Sequence, residues 1–506
     1  MCGWSSSRSK WALYAIGTLL GLCGGCSKRE LPTPTESVLR IAQRNEPATL
    51  DPQLATLPDE FFILRAVSEG LVTPNPDGGT PLPGVAERWE SSADGLTWTF
   101  HLRANAKWSN GDPVTSRDFA FTVARAHTPG SLSPKTALFQ NVEATGSLDA
   151  HTFIVRLRRP DDGFLALAAS GPWLPVHAPT VTRHGAQWTR PGHFVGNGPF
   201  TLAEWLPNQR ITVIRNPAYW NADAVKLEAM QFLAFDSSDT EERAFRAGQI
   251  DVSMTVPFAK LESYRQSSPT LMHTVPLHET RYIALNVTRP PLNDVRVRRA
   301  LSLALDRRVL VEKVMKGGQR PAYAFASPGL GGYQPAAQLT EDATEARRLL
   351  AEAGFPGGKG FPALELTTWG AGNLVLEAIQ QRWRTELGIT VSIIQREAHT
   401  HLVSLAKGDY ALGYATAIPD YDSPLDVLQR LVSGDPGNYP QWRNPSYDRL
   451  VSTGDLTGAE QVLLDELPLI PLYYNNRNYL LRPGVRGWRE DALWTRFYQN
   501  VRFGEK

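Results

Sequence analysis

The chain has 506 residues, too many for one ordinary core, and length alone points to roughly two to four domains. Hydrophobic residues at 42% and charged residues at 20%, with 41 Gly and 38 Pro, describe a folded body rich in turns and exclude a disordered chain. Charge is nearly balanced at +1, so no basic face announces nucleic acid.

Residues 1–10 carry Arg8 and Lys10 without an acid, residues 11–22 form a short apolar run, and Cys23-Gly24-Gly25-Cys26 follows. That run is too short to span a bilayer stably, and with its basic flank and small-residue boundary it reads as an export signal over residues 1–25. All three cysteines, Cys2, Cys23 and Cys26, lie in this stretch, which excludes a disulfide framework for the body. The pattern resembles a bacterial lipoprotein signal cut before Cys26, with Cys23 where such signals usually have Leu. The resemblance implies a lipid on Cys26, and Ser27 after it favours the outer membrane. Residues 26–37 are polar and proline-bearing, which suits a tether.

The body opens with "VLRIAQRNEPATLDPQ", a strand-like start ending in turn residues. "PDEFFILRAVSEGL" (58–71) places Ile63, Val67 and Leu71 at four-residue steps, an amphipathic helix. "GLTWTFHLRANAKWSNGDPVT" (95–115) alternates Leu96, Trp98, Phe100 and Leu102, a half-buried strand closed by the turn Asn110-Gly111-Asp112-Pro113. "NDVRVRRALSLALDRRVLVEKVM" (293–315) predicts one long helix, capped by Asn293 or Asp294, with Val297, Leu301, Ala304 and Leu305 buried. Its Arg296, Arg298, Arg299, Arg307 and Arg308 read as a solvated basic face. Farther on, "ALELTTW", "LVLEAIQQRWRTEL" and "ITVSIIQ" (363–395) form a strand-helix-strand unit, which implies a parallel sheet. The triplet His399-Thr400-His401 reads as a polar loop, its ligands too close for a metal cage alone.

Near the end of the chain, "AIPDYDSPLDVL" (417–428) places Asp420, Asp422 and Asp426 within seven positions. Asp422, before Ser423-Pro424, reads as turn chemistry, and Asp426 as a first-turn helix acid. No phosphate loop, dinucleotide fingerprint, zinc motif or nucleophile elbow occurs, which weighs against an enzyme and against a bound cofactor without excluding catalysis.

Six stretches in order resemble the oligopeptide- and dipeptide-binding family of extracytoplasmic solute-binding proteins of ABC importers. They are "NEPATLDPQ" (45–53) with "SEGLVTPNPDGG" (68–79), "PGVAERWESSADGLTWTFHLRANAKWSNGDPVTSRDF" (83–119), and "GNGPFTLAEWLPNQRITVIRNPAYW" (196–220). "YIALNVTRPPLNDVRVRRALSLALDR" (282–307) and "LLDELPLIPLYYNNRNYLLRPGVRGW" (463–488) complete the series. The resemblance implies an α/β, two-lobed periplasmic-binding-protein type II-like fold with a hinge and an extra domain inserted in the first lobe. It divides the body into residues 38–80, 193–286 and 476–506 for the first lobe, 81–192 for the insertion and 287–475 for the second lobe. It also implies a periplasmic, lipid-anchored monomer that captures peptides and passes them to an ABC permease with its ATPase subunits.

The resemblance assigns Asp420 as the carboxylate that holds a peptide's ammonium group, because that cation, once buried, needs a negative partner. Glu46 matches a ligand-contacting acid, while Tyr282, Asn286, Tyr473 and Tyr474 lie on strands that lead between the lobes. The family often has an arginine six residues before the aspartate and a tryptophan three before it; here those places hold Tyr414 and Ala417. Relatives of this fold also carry dipeptides, nickel complexes, haem or oligosaccharides, so the fold does not fix the cargo. A carboxylate-based glycan-active enzyme is the remote alternative.

Overall fold

The computed structural model describes residues 37–128, 133–370 and 372–504, so the expected export signal, Cys26 and nearly all of the tether lie outside the described residues. Four apolar clusters organise the chain. The first surrounds a four-stranded sheet in which Val38–Gln43 pairs in parallel with Ala229–Ala234, followed by Arg210–Arg215 and Phe200–Leu206. The helix Pro58–Val67 buries Phe62, Ile63 and Val67 against that sheet but ends before Leu71, the last of the predicted four-residue steps, which packs in another core. Its start is fixed by Glu60, whose carboxylate accepts the amides of Thr56 at 2.7 Å and Leu57 at 2.9 Å.

A second four-stranded sheet, antiparallel throughout, is ordered Ala86–Ser91, Thr97–Leu102, Thr152–Leu157, Val142–Asp149. Phe100 and Leu102 alternate inward as the pattern requires, and the helix Ser116–His127 covers them with Phe119 and Val123. The Thr115 amide donates to Asp118 at 2.7 Å, closing the first turn of that helix.

The third sheet has six strands, ordered Arg320–Pro321, Leu469–Leu480, Met272–Leu285, Leu412–Ala417, Leu364–Trp369, Val391–Arg396. Leu364–Trp369 and Val391–Arg396 are parallel, joined by the helix Leu374–Leu387, whose Leu376, Ile379, Trp383 and Leu387 are buried as the periodicity indicates. On the central strand Ile283 and Leu285 face one apolar cluster and Tyr282 and Ala284 the other, the two-residue alternation of a sheet covered on both faces.

Met272–Leu285 and Leu469–Leu480 are the long members of this sheet and pair antiparallel along most of their length. Their register shifts between Pro276 and Thr280. On one side of that interruption Met272, Val275, Tyr479 and Leu480 join the first core; on the other Ile283 and Ile470 join a second-lobe core. One strand pair thus runs through both lobes, with its irregular step between them.

Three expectations change. The segment 293–315 is not one helix: Val295–Leu303 ends, and Asp306 starts a new turn by accepting the Val309 amide at 2.9 Å. The terminal carbonyls of the first helix go to other side chains, with Trp383 Nε1 donating to Leu301 O at 2.8 Å and Arg382 Nε to Ala304 O at 3.0 Å. Nor are all its arginines solvated. Arg298 donates to the carbonyls of Glu466 at 2.8 Å and Leu292 at 3.0 Å, and Arg307, 0% exposed, donates to Pro471 O at 2.8 Å and Ser302 Oγ at 3.0 Å. Residues 399–401 are also not a loop. They lie on the helix Ala398–Lys407, where Glu397 caps the amides of His399 and Thr400, and buried His401 places Nε2 2.8 Å from Tyr414 O.

Candidate functional site: the interlobe cleft

A cavity of about 550 Å3 opens where the lobes meet. The loop after the first helix contributes Asn75 and Asp77, the inserted domain Ala166 and Ala169, and the long strand Pro276 and His278. Asp420, Tyr421 and Asp422 come from the second lobe, and Asp491 and Leu493 from the C-terminal segment. A half-open cleft of this size, built by several parts of the chain, is the place for a small ligand. Its wall carries Asp77, Asp420, Asp422, Glu490 and Asp491 beside Arg65, with Glu490 paired to Arg477 and Arg496, Asp77 to Arg489, and Asp420 to Lys135. Burial pushes the Asp491 carboxyl up to about 6, although it accepts the amides of Leu493 and Thr495, each at 2.8 Å.

Asp420 also faces a second groove of about 600 Å3, lined by Lys135, Arg159, Arg430 and Tyr439 among others. Its carboxylate is engaged on both oxygens: Lys135 Nζ donates to Oδ1 at 2.6 Å and Arg430 Nη2 to Oδ2 at 3.0 Å. Burial acts to raise the pKa of this carboxyl, but the two cations more than offset it and hold it below the ordinary value. The Asp420 amide donates to Asp426 Oδ2 at 2.7 Å, and the same oxygen receives Arg430 Nη2 at 2.6 Å. Asp426 is fully buried, and burial raises its carboxyl.

The acidic stretch therefore divides in a way its spacing did not show. Asp426 lies in the first turn of Pro424–Leu428, capped by Ser423, but its carboxylate points back to orient Asp420 and Arg430. Asp422, expected as local turn chemistry, accepts the Gly331 amide at 2.6 Å and ties two second-lobe loops together. Tyr421 crosses over and packs into the core of the inserted domain. Arg159 Nη1 to Ser452 O, 2.6 Å, is another bond across the same seam.

Of the six expected ligand contacts, Asp420 alone borders these two cavities. Glu46 accepts Trp205 Nε1 at 2.7 Å and the Asn208 amide at 2.9 Å within the first lobe. Tyr282 is buried edge-on against Phe325, ring centroids 5.4 Å apart. Asn286 donates to the carbonyls of Gly408 at 2.8 Å and Tyr410 at 3.1 Å, fixing a turn. Tyr473 shares a 2.6 Å hydroxyl bond with Tyr414, and the Tyr474 hydroxyl donates to Ala324 O at 2.9 Å. The polar atoms of Glu46, Asn286, Tyr473 and Tyr474 are engaged within the protein.

Tyr414 stands where relatives often carry arginine, yet a guanidinium is close by. Arg281, on the neighbouring strand, lies 5.9 Å from the Tyr414 ring and 5.5 Å from the Trp369 ring, and pairs with Glu279 at 2.5 Å. Residues that spacing missed are Lys135 and Arg430, both direct partners of Asp420. Arg430 lies two helical turns and a loop beyond Asp420, while Lys135 is 285 residues away in sequence, beyond any local pattern.

Comparison with known proteins agrees with this architecture. Residues 80–439 match the model for the bacterial extracellular solute-binding proteins, family 5. The periplasmic murein peptide-binding protein MppA of Escherichia coli is 31% identical over 492 residues, covering 90% of this chain and 91% of that protein. The periplasmic oligopeptide-binding protein OppA of Escherichia coli is 31% identical over 540 residues, covering 97% and 98%. In three dimensions the chain superposes on MppA with a TM-score of 0.84 and 29% identity, over 94% of this chain and 99% of that one. The unliganded open form of MppA gives a TM-score of 0.73 at 29% identity, over 93% of this chain and 98% of that one. The Haemophilus influenzae OppA complex with the peptide RPPGFSPFR gives a TM-score of 0.82 at 27% identity, over 93% of this chain and 99% of that one. Fold and sequence agree: the chain belongs to the family 5 bacterial extracellular solute-binding proteins of ABC transporters.

Proposed function

We propose that the protein captures peptides between its lobes, in the periplasm, and delivers them to an ABC permease and its ATPase subunits. The observation that carries this reading is the position of Asp420, a carboxylate held below its ordinary pKa on the wall of the interlobe cavity. A peptide's ammonium group is the ligand feature such a carboxylate recognises. Extended backbone beyond that end finds amide partners in the walls of the cleft whatever its side chains. Relatives named for murein peptides and oligopeptides support the choice of cargo. Contact with both lobes at once makes the closed form the tighter binder, so ligand shifts the hinge equilibrium toward it.

The protein acts as a monomer tethered through a lipid on Cys26. Replacing Asp420 with Asn is expected to weaken a peptide with a free amino terminus by about 2–5 kcal/mol, the range for truncating one partner of a buried charge pair. Calorimetry on both forms reads this directly, and equal affinities would refute the anchoring role. Cys26→Ser should move the protein from the membrane to the soluble envelope fraction; retention of the variant on membranes would refute the lipid tether.

A further inference from the structure

The cation seat at Asp420 is already filled by the protein. Lys135 sits at the start of the turn Thr136–Phe139, whose Leu138 and Phe139 are fixed in the core of the inserted domain. From there its ammonium reaches across the seam to Asp420 Oδ1 at 2.6 Å, both side chains mostly buried. Arg430 occupies the other oxygen and is itself held by Asp426. Two cations and two carboxylates thus form a balanced set at the junction of the cavity and the groove. A third cation entering from the cavity would be buried without a counter-charge, which is costly.

We infer that Lys135 is an affinity-setting competitor at the amine subsite: a ligand's ammonium group binds Asp420 by displacing Lys135. Lys135 is the member that yields. It lines the open groove, into which its flexible four-carbon stem swings the ammonium, whereas Arg430 is pinned by two carboxylates. Capture then exchanges a link across the seam made by the protein for one made through the ligand. Lys135 lowers affinity for every free-amine peptide alike, and this sets a threshold that other contacts along the cleft must exceed. The inference rests on the peptide reading above.

The test compares wild type, Lys135→Met and Asp420→Asn by calorimetry with tetra-alanine bearing a free or an acetylated amino terminus. Lys135→Met is expected to bind the free-amine peptide about tenfold more tightly, because the competing state is removed, and to leave the acetylated peptide unchanged. Unchanged or weaker binding of the free-amine peptide by Lys135→Met, while wild type binds it, overturns the competition and leaves the peptide reading intact. Failure of every form to bind either peptide overturns both. A melting-temperature cycle without peptide, using Lys135→Met, Asp420→Asn and the double variant, supplies a second readout. Non-additive losses support the pair, and strictly additive losses overturn it.

Discussion

Glu69 shows how one buried side chain gives the whole protein a pH dependence. Its carboxylate accepts Trp220 Nε1 at 2.7 Å and Gln499 Nε2 at 3.2 Å, and also receives the Tyr219 hydroxyl. Burial nevertheless dominates and raises its pKa from 4.5 to about 7. A carboxyl with a raised pKa keeps its proton in the folded state while the unfolded chain has lost it. Its stabilisation is therefore complete below the unfolded value and disappears as pH rises through about 7. The shift corresponds to about 3 kcal/mol lost between acidic and mildly alkaline pH, a slope that Glu69→Gln removes. Urea titrations of both forms at acidic and mildly alkaline pH measure it, and parallel pH profiles would contradict the assignment.

At this same scale, the legible part of the site was Asp420, found through the "PDYDSP" match and not through its spacing, which treated three carboxylates alike. Hidden were the partners that long-range folding delivers, such as Lys135 on Asp420 and the backbone carbonyls that receive Arg298 and Arg307. A charge's burial is set by what packs over it, and sequence periodicity carries no record of that.

Elements with one buried face were readable from the sequence. Leu374–Leu387 and, apart from its C-terminal end, Pro58–Val67 occupy their expected places because apolar stripes at helical spacing admit one orientation against a sheet. The strand-helix-strand unit gave its parallel pairing for the same reason. Val295–Leu303 departs from that logic. Its apolar stripe continues beyond Leu303, yet Trp383 and Arg382 take the Leu301 and Ala304 carbonyls, and Asp306 caps a separate turn. Helix ends decided by tertiary donors do not show in a periodic pattern. The resemblance placed Tyr282 and Tyr473 on strands, but nothing in the sequence showed the interruption between Pro276 and Thr280 that falls between the two lobes.

At the scale of the molecule, two lobes share one strand pair and meet around the cavity, which makes the irregular step between Pro276 and Thr280 the expected hinge. The seam is held by Lys135 on Asp420, Arg159 on Ser452, and Tyr421 in the inserted domain's core, and all three contacts must part when the lobes open. Cargo capture at this seam is the central claim. Native mass spectrometry of the mature protein, purified without denaturant, tests it most directly. The expected spectrum shows the protein carrying a series of peptides of mixed sequence; a single sugar or metallophore mass in their place would contradict it.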